Sequence, residues 1–436
     1  MPASEPTKPG SILIRGGTLI TPFKRSHANL LLEGGKIASV TASEPRADQI
    51  IDASGLAVIP GVVDPHVHFR QPGMKAEDWV SGSKAAIAGG VTTVLDMPNT
   101  SPPTTTLALL EAKRRLVLDS TKGSPLVNFG FHFGATASNL NEIRLVGGST
   151  ASGIERQVAS VKIFMGSSTG GLLITGERDL ASVVRGSRLV TVHAEDEPVI
   201  KLHERENDHA SRRPKEAALS AIRKLTAIGS KGMVYVCHVT SWEEAALASM
   251  FYREATPHPL FLTSSMMDKI GSYAKVNPPL RSESERLSLW HALNEGKIDA
   301  IGSDHAPHLR EDKERDQPPS GMPGVETSLP LMLDAHSRGL IKLERIVGLM
   351  CEGPAKIFGL QGKGSMRVGA DADITLVNLK TRRKVRPESL HYMCGWTPYE
   401  GLKLKGWPVA TIVGGEVAYR DGEFYPVRGR EVSYAV

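Results

Sequence analysis

The chain has few cysteines, no long apolar run and almost no excess charge. Three cysteines in 436 residues do not form a disulfide framework, which indicates a reducing compartment, and we expect the cytoplasm. No segment approaches the roughly 20 apolar residues of a membrane span, so we expect no membrane contact. Residues 1–10 lack the apolar core of a signal peptide and are interpreted as a disordered lead.

The charge balance excludes another class of partner. Basic residues number 52 and acidic residues 47, which gives a net charge of +5 and argues against nucleic-acid binding. One local basic run, Arg382-Arg383-Lys384 with Arg386, is predicted to be a solvated loop.

Short apolar strands alternate with helix-length segments through the middle of the chain. The predicted strands are Leu56–Val63, Thr92–Asp96, Val127–Phe133, Ser160–Phe164, Leu189–His193, Met233–His238, Pro259–Thr263 and Asp299–Gly302. Eight strands with intervening helices, such as Trp242–Tyr252, indicate an α/β fold of the (β/α)₈ TIM-barrel type. A doubly wound sheet is the alternative, but it normally carries a Gly-rich turn where this chain has His-Val-His.

Both ends of the chain differ from the middle. Residues 11–55 and 369–436 contain short β-runs with glycine turns, and neither piece is large enough to bury its own core. We therefore predict one small β-sandwich built from both termini, which flanks a barrel at residues 56–368.

Histidines, one lysine and one aspartate lie in or at the ends of the predicted barrel strands, where barrel active sites form. They are His66, His68, Lys162, His193, His238 and Asp304. His66 and His68 point to the same side of a strand because side-chain direction repeats every two residues. Each histidine alone is as compatible with a satisfied core or rim residue, but their coincidence at one barrel mouth favours a metal site.

Lys162 lies inside an apolar strand, where an ammonium group is costly to bury unless it is paired. The neutral amine can react with carbon dioxide to give a carbamate, an anionic ligand able to bridge two metal ions. An ion pair with a nearby carboxylate is the alternative interpretation.

The whole chain resembles the amidohydrolase superfamily and, within it, the dihydroorotases. The segments that carry the resemblance are Asp64-Pro65-His66-Val67-His68-Phe69-Arg70, Met97-Pro98-Asn99-Thr100, Lys162-Ile163-Phe164-Met165-Gly166-Ser167-Ser168, His193-Ala194-Glu195-Asp196, Cys237-His238-Val239, Val276-Asn277-Pro278-Pro279-Leu280-Arg281, Ser303-Asp304-His305-Ala306-Pro307-His308 and Pro323-Gly324-Val325-Glu326-Thr327. The metal set is typical of the superfamily, whereas Arg70 and the Met-Pro-Asn-Thr segment favour dihydroorotase.

The resemblance implies two zinc ions per chain, bridged by a carboxylated Lys162. His66, His68, Lys162 and Asp304 would hold one zinc, and His193, His238 and the lysine carbamate the other. Asp304 would carry the proton between water and the amide nitrogen as dihydroorotate and N-carbamoyl-L-aspartate interconvert in pyrimidine biosynthesis. Asp196 and His305 are expected to orient the ligands.

The resemblance also implies substrate contacts. Arg70 would bind the substrate carboxylate with two parallel hydrogen bonds, although a surface ion pair is the alternative. The other contacts would come from Asn99, Asn277, His308, Pro323 and Gly324. Asn99 and Asn277 are equally compatible with simple turn residues.

Two further expectations come from relatives. Cys237 and Glu254 resemble a pair that holds a third zinc, although a buried structural thiol is the simpler interpretation of Cys237. Ser167, Ser168 and Thr169 resemble a lid over the ligand, and a passive loop is the alternative.

Two alternative functions and two questions of assembly stay open at this point. A related cyclic amidase, such as a hydantoinase, dihydropyrimidinase or allantoinase, would share the metal ligands, but dihydropyrimidinases usually have a tyrosine shortly after the lysine, where this chain has Met165-Gly166-Ser167. An inactive scaffold would have lost ligands that this chain keeps. A homodimer is the family expectation, and association with aspartate transcarbamoylase is left open.

Overall fold

The computed structural model describes residues 10–149, 153–168, 171–229 and 234–435. Its strands are β1 (Ile12–Arg15), β2 (Thr18–Ile20), β3 (Arg25–His27), β4 (Asn29–Glu33), β5 (Lys36–Thr41), β6 (Gln49–Asp52), β7 (Ala57–Pro60), β8 (Val62–Val67), β9 (Val91–Asp96), β10 (Asn128–Gly134), β11 (Ser160–Phe164), β12 (Val190–His193), β13 (Val234–Val236), β14 (Tyr252–Ala255), β15 (Ala300–Ile301), β16 (Ile374–Lys384), β17 (Lys403–Val413), β18 (Glu416–Arg420) and β19 (Glu423–Phe424).

The helices follow the same order along the chain. They are α1 (Trp79–Ala88), α2 (Leu107–Ser120), α3 (Leu140–Leu145), α4 (Glu177–Gly186), α5 (Glu197–Leu202), α6 (His209–Arg212), α7 (Lys215–Ile228), α8 (Trp242–Leu247), α9 (Pro257–Phe261), α10 (Met266–Ile270), α11 (Glu283–Asn294), α12 (Arg310–Lys313), α13 (Val325–Ser337), α14 (Leu343–Val347) and α15 (Gly353–Ile357). None of these described helices is both long and apolar enough to cross a membrane.

The eight strands β8–β15 form one parallel sheet in sequential order, and this sheet closes on itself. A parallel bridge joins Val67 to His305, and the His68 N–H donates to the His305 carbonyl at 2.8 Å. The (β/α)₈ prediction is therefore confirmed. The closure places the carboxyl ends of β8 and β15 side by side, where His66, His68 and Asp304 lie.

The terminal strands form two further sheets that share one apolar core. One has the order β5-β4-β1-β6, and the other, β19-β18-β17-β16-β7-β2-β3, mixes strands from both ends of the chain. Ile14 and Leu30 from the amino end pack in the same buried cluster as Ile374 and Ile412 from the carboxyl end. The predicted sandwich built from both termini is confirmed, while the boundaries 11–55, 56–368 and 369–436 stay predictions.

The predicted first strand, Leu56–Val63, is wrong as a single element. Ala57–Pro60 belongs to the terminal sheet, and the barrel strand runs from Val62 to Val67. Gly61 separates the two, and a β-carbon there would overlap the Thr92 side chain. The apolar character continues across this junction, so composition alone does not reveal the break.

The predicted seventh strand, Pro259–Thr263, is also wrong. Strand β14 lies earlier, at Tyr252–Ala255, and Pro257–Phe261 is helical, with Pro257 in the first turn where a missing N–H costs nothing. The sequence did not predict strand β14 because two of its four residues are charged. One of them, Arg253, pairs with Asp299 at 2.8 Å. The helix that was predicted over Trp242–Tyr252 ends earlier, at Leu247.

The sequence predicted a loop for the basic run, and this prediction is wrong. Residues 382–384 form the end of strand β16. Arg382 lies opposite Lys405 and Lys384 opposite Lys403 in the antiparallel pair with β17. These side chains are solvated strand positions.

Candidate metal and active site

His66 and His68 present equivalent nitrogen atoms to one point. His66 Nδ1 lies 2.8 Å from Glu254 Oε1, and His68 Nδ1 lies 2.8 Å from Asn99 Oδ1. Because both partners accept hydrogen bonds, each Nδ1 carries the proton and each Nε2 keeps its lone pair. These Nε2 atoms lie 3.3 and 3.2 Å from Asp304 Oδ1, so the three groups can share one cation.

His193 and His238 form a second pair at the ends of β12 and β13. His193 Nδ1 faces His238 Nε2 at 3.0 Å, while His193 Nε2 lies 2.9 Å from Glu195 Oε2. The Glu195 carboxylate fixes the proton on His193 Nε2 and leaves Nδ1 as a lone pair directed at its neighbour. Two imidazoles so arranged suit a cation between them, and the buried His238 Nδ1 has no hydrogen-bond partner among the described residues.

Backbone conformation directs two of these side chains into the cavity. His238 has φ 37° and Asp304 has φ 47°, both in the left-handed region that side-chain-bearing residues seldom adopt. Such strain at strand ends is typical of functional sites.

Lys162 lies on β11 and is 1% exposed. Its ammonium lies 3.0 Å from Cys237 Sγ, and it forms no salt bridge with any acidic residue in the described part of the chain. The ion-pair interpretation is therefore wrong for this structure. A buried lysine without a counter-ion, close to His66, His193 and His238, fits a carboxylated side chain that binds metal.

The electrostatics of the cluster suit metal binding. Burial lowers the pKa values of His66, His68, His193 and His238, so the neutral imidazoles required for ligation predominate. Burial alone would raise the pKa of Asp304, but the surrounding imidazoles, when protonated, hold it well below its usual range, and a bound cation would supply the same stabilisation to the carboxylate beside neutral imidazoles. The donor set therefore fits two divalent cations.

A cavity of about 560 Å³ opens over this cluster. The predicted residues that line it are His66, His68, Arg70, Asn99, Lys162, Ser167, Ser168, His193, His238, Asn277 and Asp304. His308 contacts Arg70 instead, with Nε2 3.1 Å from the guanidinium. Pro323 and Gly324 do not line the cavity, and the Gly324 N–H donates to His305 Nδ1 at 3.1 Å.

Arg70 is a buried cation at the cavity wall. It is 3% exposed, has φ 65° and donates from Nε to the Pro307 carbonyl at 3.0 Å. Burial lowers its pKa to about 10, which still leaves it charged at neutral pH. No carboxylate of the described residues forms a salt bridge with it, so the surface ion pair weighed from sequence is wrong.

The two asparagines have different partners. Asn99 accepts from His68 and thereby orients a candidate ligand, while Asn277 Oδ1 accepts from the Ser320 hydroxyl at 3.0 Å. Both side chains border the cavity.

Cys237 and Glu254 have neighbours that favour structural roles. Their ligand atoms and one of His66 lie within 4.8 Å of one another. However, Glu254 already accepts from His66, the Tyr235 hydroxyl and the His238 N–H. Burial raises the pKa of the Cys237 thiol to about 12, which keeps it protonated.

Glu195 is the ligand-orienting residue that the sequence interpretation missed. The Arg213 guanidinium binds both its carboxylate oxygens, at 2.7 and 3.2 Å. Although burial would raise it, Arg213 holds the pKa of Glu195 well below its usual range. Alternation from His193 could have identified Glu195, because residues i and i+2 share a side.

Asp196 and His305 do not orient the ligands as expected. Asp196 accepts from Ser220 and Lys224, away from the histidines. His305 lies 3.2 Å from Glu77 and accepts from the Gly324 N–H.

The predicted lid begins with a fixed residue. Ser167 donates from its N–H and its hydroxyl to the Glu197 carboxylate, at 2.6 and 2.5 Å. Thr169 lies outside the described residues.

Comparisons with known proteins agree with this geometry. A sequence profile of the amidohydrolase family matches residues 57–166 and 178–418. A dihydroorotase of Methanosarcina acetivorans is 37% identical over 92% of this chain and 91% of its own length. An L-hydantoinase of Paenarthrobacter aurescens is 33% identical over 96% of both chains.

A solved structure is similarly close. The L-hydantoinase (dihydropyrimidinase) from Arthrobacter aurescens superposes with a TM-score of 0.89 at 31% identity, covering 97% of this chain and 99% of that one. This chain therefore belongs to the amidohydrolase family, among the cyclic-amide hydrolases related to dihydroorotase.

Proposed function

We propose that this enzyme is a dihydroorotase, which reversibly converts N-carbamoyl-L-aspartate to (S)-dihydroorotate in pyrimidine biosynthesis. The observation that carries the proposal is Arg70, a buried guanidinium beside the histidine cluster with no carboxylate partner among the described residues. Dihydroorotate brings the missing carboxylate, whereas a neutral ring would leave the buried charge uncompensated.

The proposal includes two zinc ions held by His66, His68, His193, His238, Asp304 and a carboxylated Lys162. When bound, the ions would supply Lewis-acid polarisation of the ring carbonyl and activation of water. The family is metal-dependent in general. The group His66, His68 and Asp304 supports one metal position, and the facing nitrogen atoms of His193 and His238 support a second.

The chain's own residues perform the remaining steps. Arg70 binds the substrate carboxylate in a bidentate manner, and Asn99 and Asn277 offer amide groups to the substrate. Asp304, ionised and 3.2 Å from His68 Nε2, accepts the proton that water gives up and returns it to the ring nitrogen as the amide bond breaks. In the direction of ring closure, the Asp304 carboxylate takes the proton from the ureido nitrogen.

Hydantoin or dihydropyrimidine hydrolysis is the second candidate, because relatives with those names share up to 33% identity with this chain. One experiment separates the two candidate functions. It measures the zinc content of the enzyme and its turnover of four substrates: dihydroorotate, dihydrouracil, hydantoin and allantoin. We expect dihydroorotate to be preferred, and the replacement Arg70→Ala to raise its KM by roughly 10–100-fold while zinc stays bound. Preferred turnover of a neutral ring by the unaltered enzyme would contradict the proposal.

We also propose that the protein is a homodimer, on the strength of the resemblance alone, and that it is cytoplasmic, as its few cysteines indicate. Light scattering after size-exclusion chromatography measures that state directly.

A further inference from the structure

Three cations gather at one end of the cavity. Arg70 and Lys275 line it, and Lys313 lies directly behind the wall with a fully buried side chain. Among the described residues, no aspartate or glutamate forms a salt bridge with any of the three. This end of the cavity therefore carries three basic groups, none of which forms a direct salt bridge with a described carboxylate.

Lys313 uses every hydrogen of its ammonium group on the cavity wall. It donates to the carbonyls of Lys275, Pro319 and Gly321 at 3.2, 2.9 and 3.0 Å. All three acceptor residues line the cavity. An ammonium has three donors, so none is left unsatisfied.

The segment Gln317–Gly321, here called the rim segment, is held in the same way from its other side. The Lys275 ammonium donates to the Pro318 carbonyl at 2.7 Å, and the Gly321 N–H donates to the Lys275 carbonyl at 2.9 Å. His308 Nε2 lies 3.0 Å from the Ser320 carbonyl and also contacts Arg70. The His308 ring therefore lies between the rim segment and Arg70.

A purely structural role would not require a charge at position 313. Burying an ammonium against carbonyls alone is costly compared with an apolar side chain. Burial, with repulsion from Lys275 and Arg70, lowers the pKa of Lys313 to about 7. An anionic ligand at this end of the cavity would relieve that repulsion.

We propose that Lys313 and Lys275 are positioning residues that hold the rim segment and make this end of the cavity selective for anionic cyclic amides over neutral ones. The inference rests on the proposed function and extends it, because selectivity then depends on three cations and a fixed wall rather than on Arg70 alone.

The test compares Lys313→Met, Lys313→Arg and Lys275→Gln with the unaltered zinc-loaded enzyme. We expect Lys313→Met and Lys275→Gln to raise the KM for dihydroorotate roughly tenfold or more, with kcat changed less than about threefold. In Lys313→Arg the increase in log KM should be at most half of that in Lys313→Met, because arginine keeps the charge and the hydrogen-bond donors. Zinc content should stay the same in all variants.

Lys363→Met is the matched control. The Lys363 side chain is also buried, but its ammonium pairs with Asp371 and Asp373, and it does not line the cavity. We expect lower thermal stability from this variant and an unchanged KM.

Each result decides the inference. An unchanged KM in Lys313→Met, or equal losses of kcat in all variants, would overturn it. If Lys313→Met does not fold, the half-buried Lys275→Gln and the conservative Lys313→Arg decide in its place, by the same KM criterion. Failure of the proposed function is distinguishable, because then the unaltered enzyme itself would not turn over dihydroorotate.

Discussion

The candidate site consists of buried polar groups whose partners lie far away in the sequence. The two histidines of β8 were predictable from their spacing, because alternation places both on one side. Arg213, which fixes Glu195 and hence His193, was not predictable, since no local pattern connects it to a residue 18 positions earlier in the chain. The same holds for Lys313, whose acceptors come from two separate segments.

Replacing Glu195 should weaken metal binding. Glu195→Gln removes the charge that fixes the proton on His193 Nε2, so we expect zinc affinity to fall roughly 10–100-fold in a chelator competition. Asp196→Asn is the control, because Asp196 follows Glu195 directly in the chain but accepts from Ser220 and Lys224 and not from a candidate ligand. Equal affinities in both variants would show that Glu195 does not orient the ligand.

The affinity for dihydroorotate should depend on pH through Lys313. The pKa of Lys313 is lowered to about 7, so its ammonium holds the rim segment below that pH and loses one donor above it. The groups that act on it are Lys275, Arg70 and the Trp396 ring, 5.8 Å away. We expect KM to rise between pH 7 and 9 in the unaltered enzyme. In Lys313→Arg the KM should stay flat, and parallel profiles would contradict this assignment.

At the scale of elements, the site depends on short connections after the barrel strands. Strands with mostly apolar sequence, such as β11 with its single lysine and β12, were predicted nearly to the residue. Strand β14 was missed because Arg253 and Glu254 interrupt its apolar pattern, and only the fold shows that they bind Asp299 and His66. Apolar periodicity reports burial against apolar neighbours, and it does not detect polar groups that are buried in pairs.

Gly73 fixes the turn that presents Arg70. It has φ 93°, a β-carbon would overlap the Ser101 carbonyl, and the Met74 N–H closes the turn onto the Arg70 carbonyl at 3.2 Å. We expect Gly73→Ala to cost about 1–3 kcal/mol in unfolding free energy and to raise the KM for dihydroorotate. Gly123→Ala, also at positive φ but in open space, should lower stability slightly and leave KM unchanged. Identical KM values in the two variants would argue against this role of the turn.

At the scale of the whole molecule, both chain ends pack on the barrel as well as on each other. Strand β7 pairs with β2 and β16, which joins the two ends to each other. Arg25 of β3 pairs with Glu344 of α14 at 2.6 Å, and the segment after β19 forms bridges from Arg428 to Leu126 and from Glu431 to Phe129. The sequence predicted that the ends combine, because neither could bury its own core. It did not predict their contacts with the barrel, which depend on isolated bridges without any sequence pattern.

Replacing Tyr434 tests whether the packing of the chain end affects stability without affecting the active-site cavity. It is 6% exposed and clusters with Leu95, Tyr235 and Phe358. We expect Tyr434→Ala to lower the unfolding free energy by about 3 kcal/mol in urea titration, with KM unchanged. Tyr425→Ala, at a 40% exposed position, should cost little. A large change of KM in Tyr434→Ala would show that the chain end influences the cavity.

The most direct measurement is a crystal structure of the active, zinc-loaded enzyme grown with bicarbonate, with anomalous data collected at the zinc edge. The account predicts two zinc peaks between the paired histidines and a carboxylated Lys162 that bridges them. An unmodified Lys162 amine in fully active crystals, or a single zinc peak remote from His193 and His238, would contradict it.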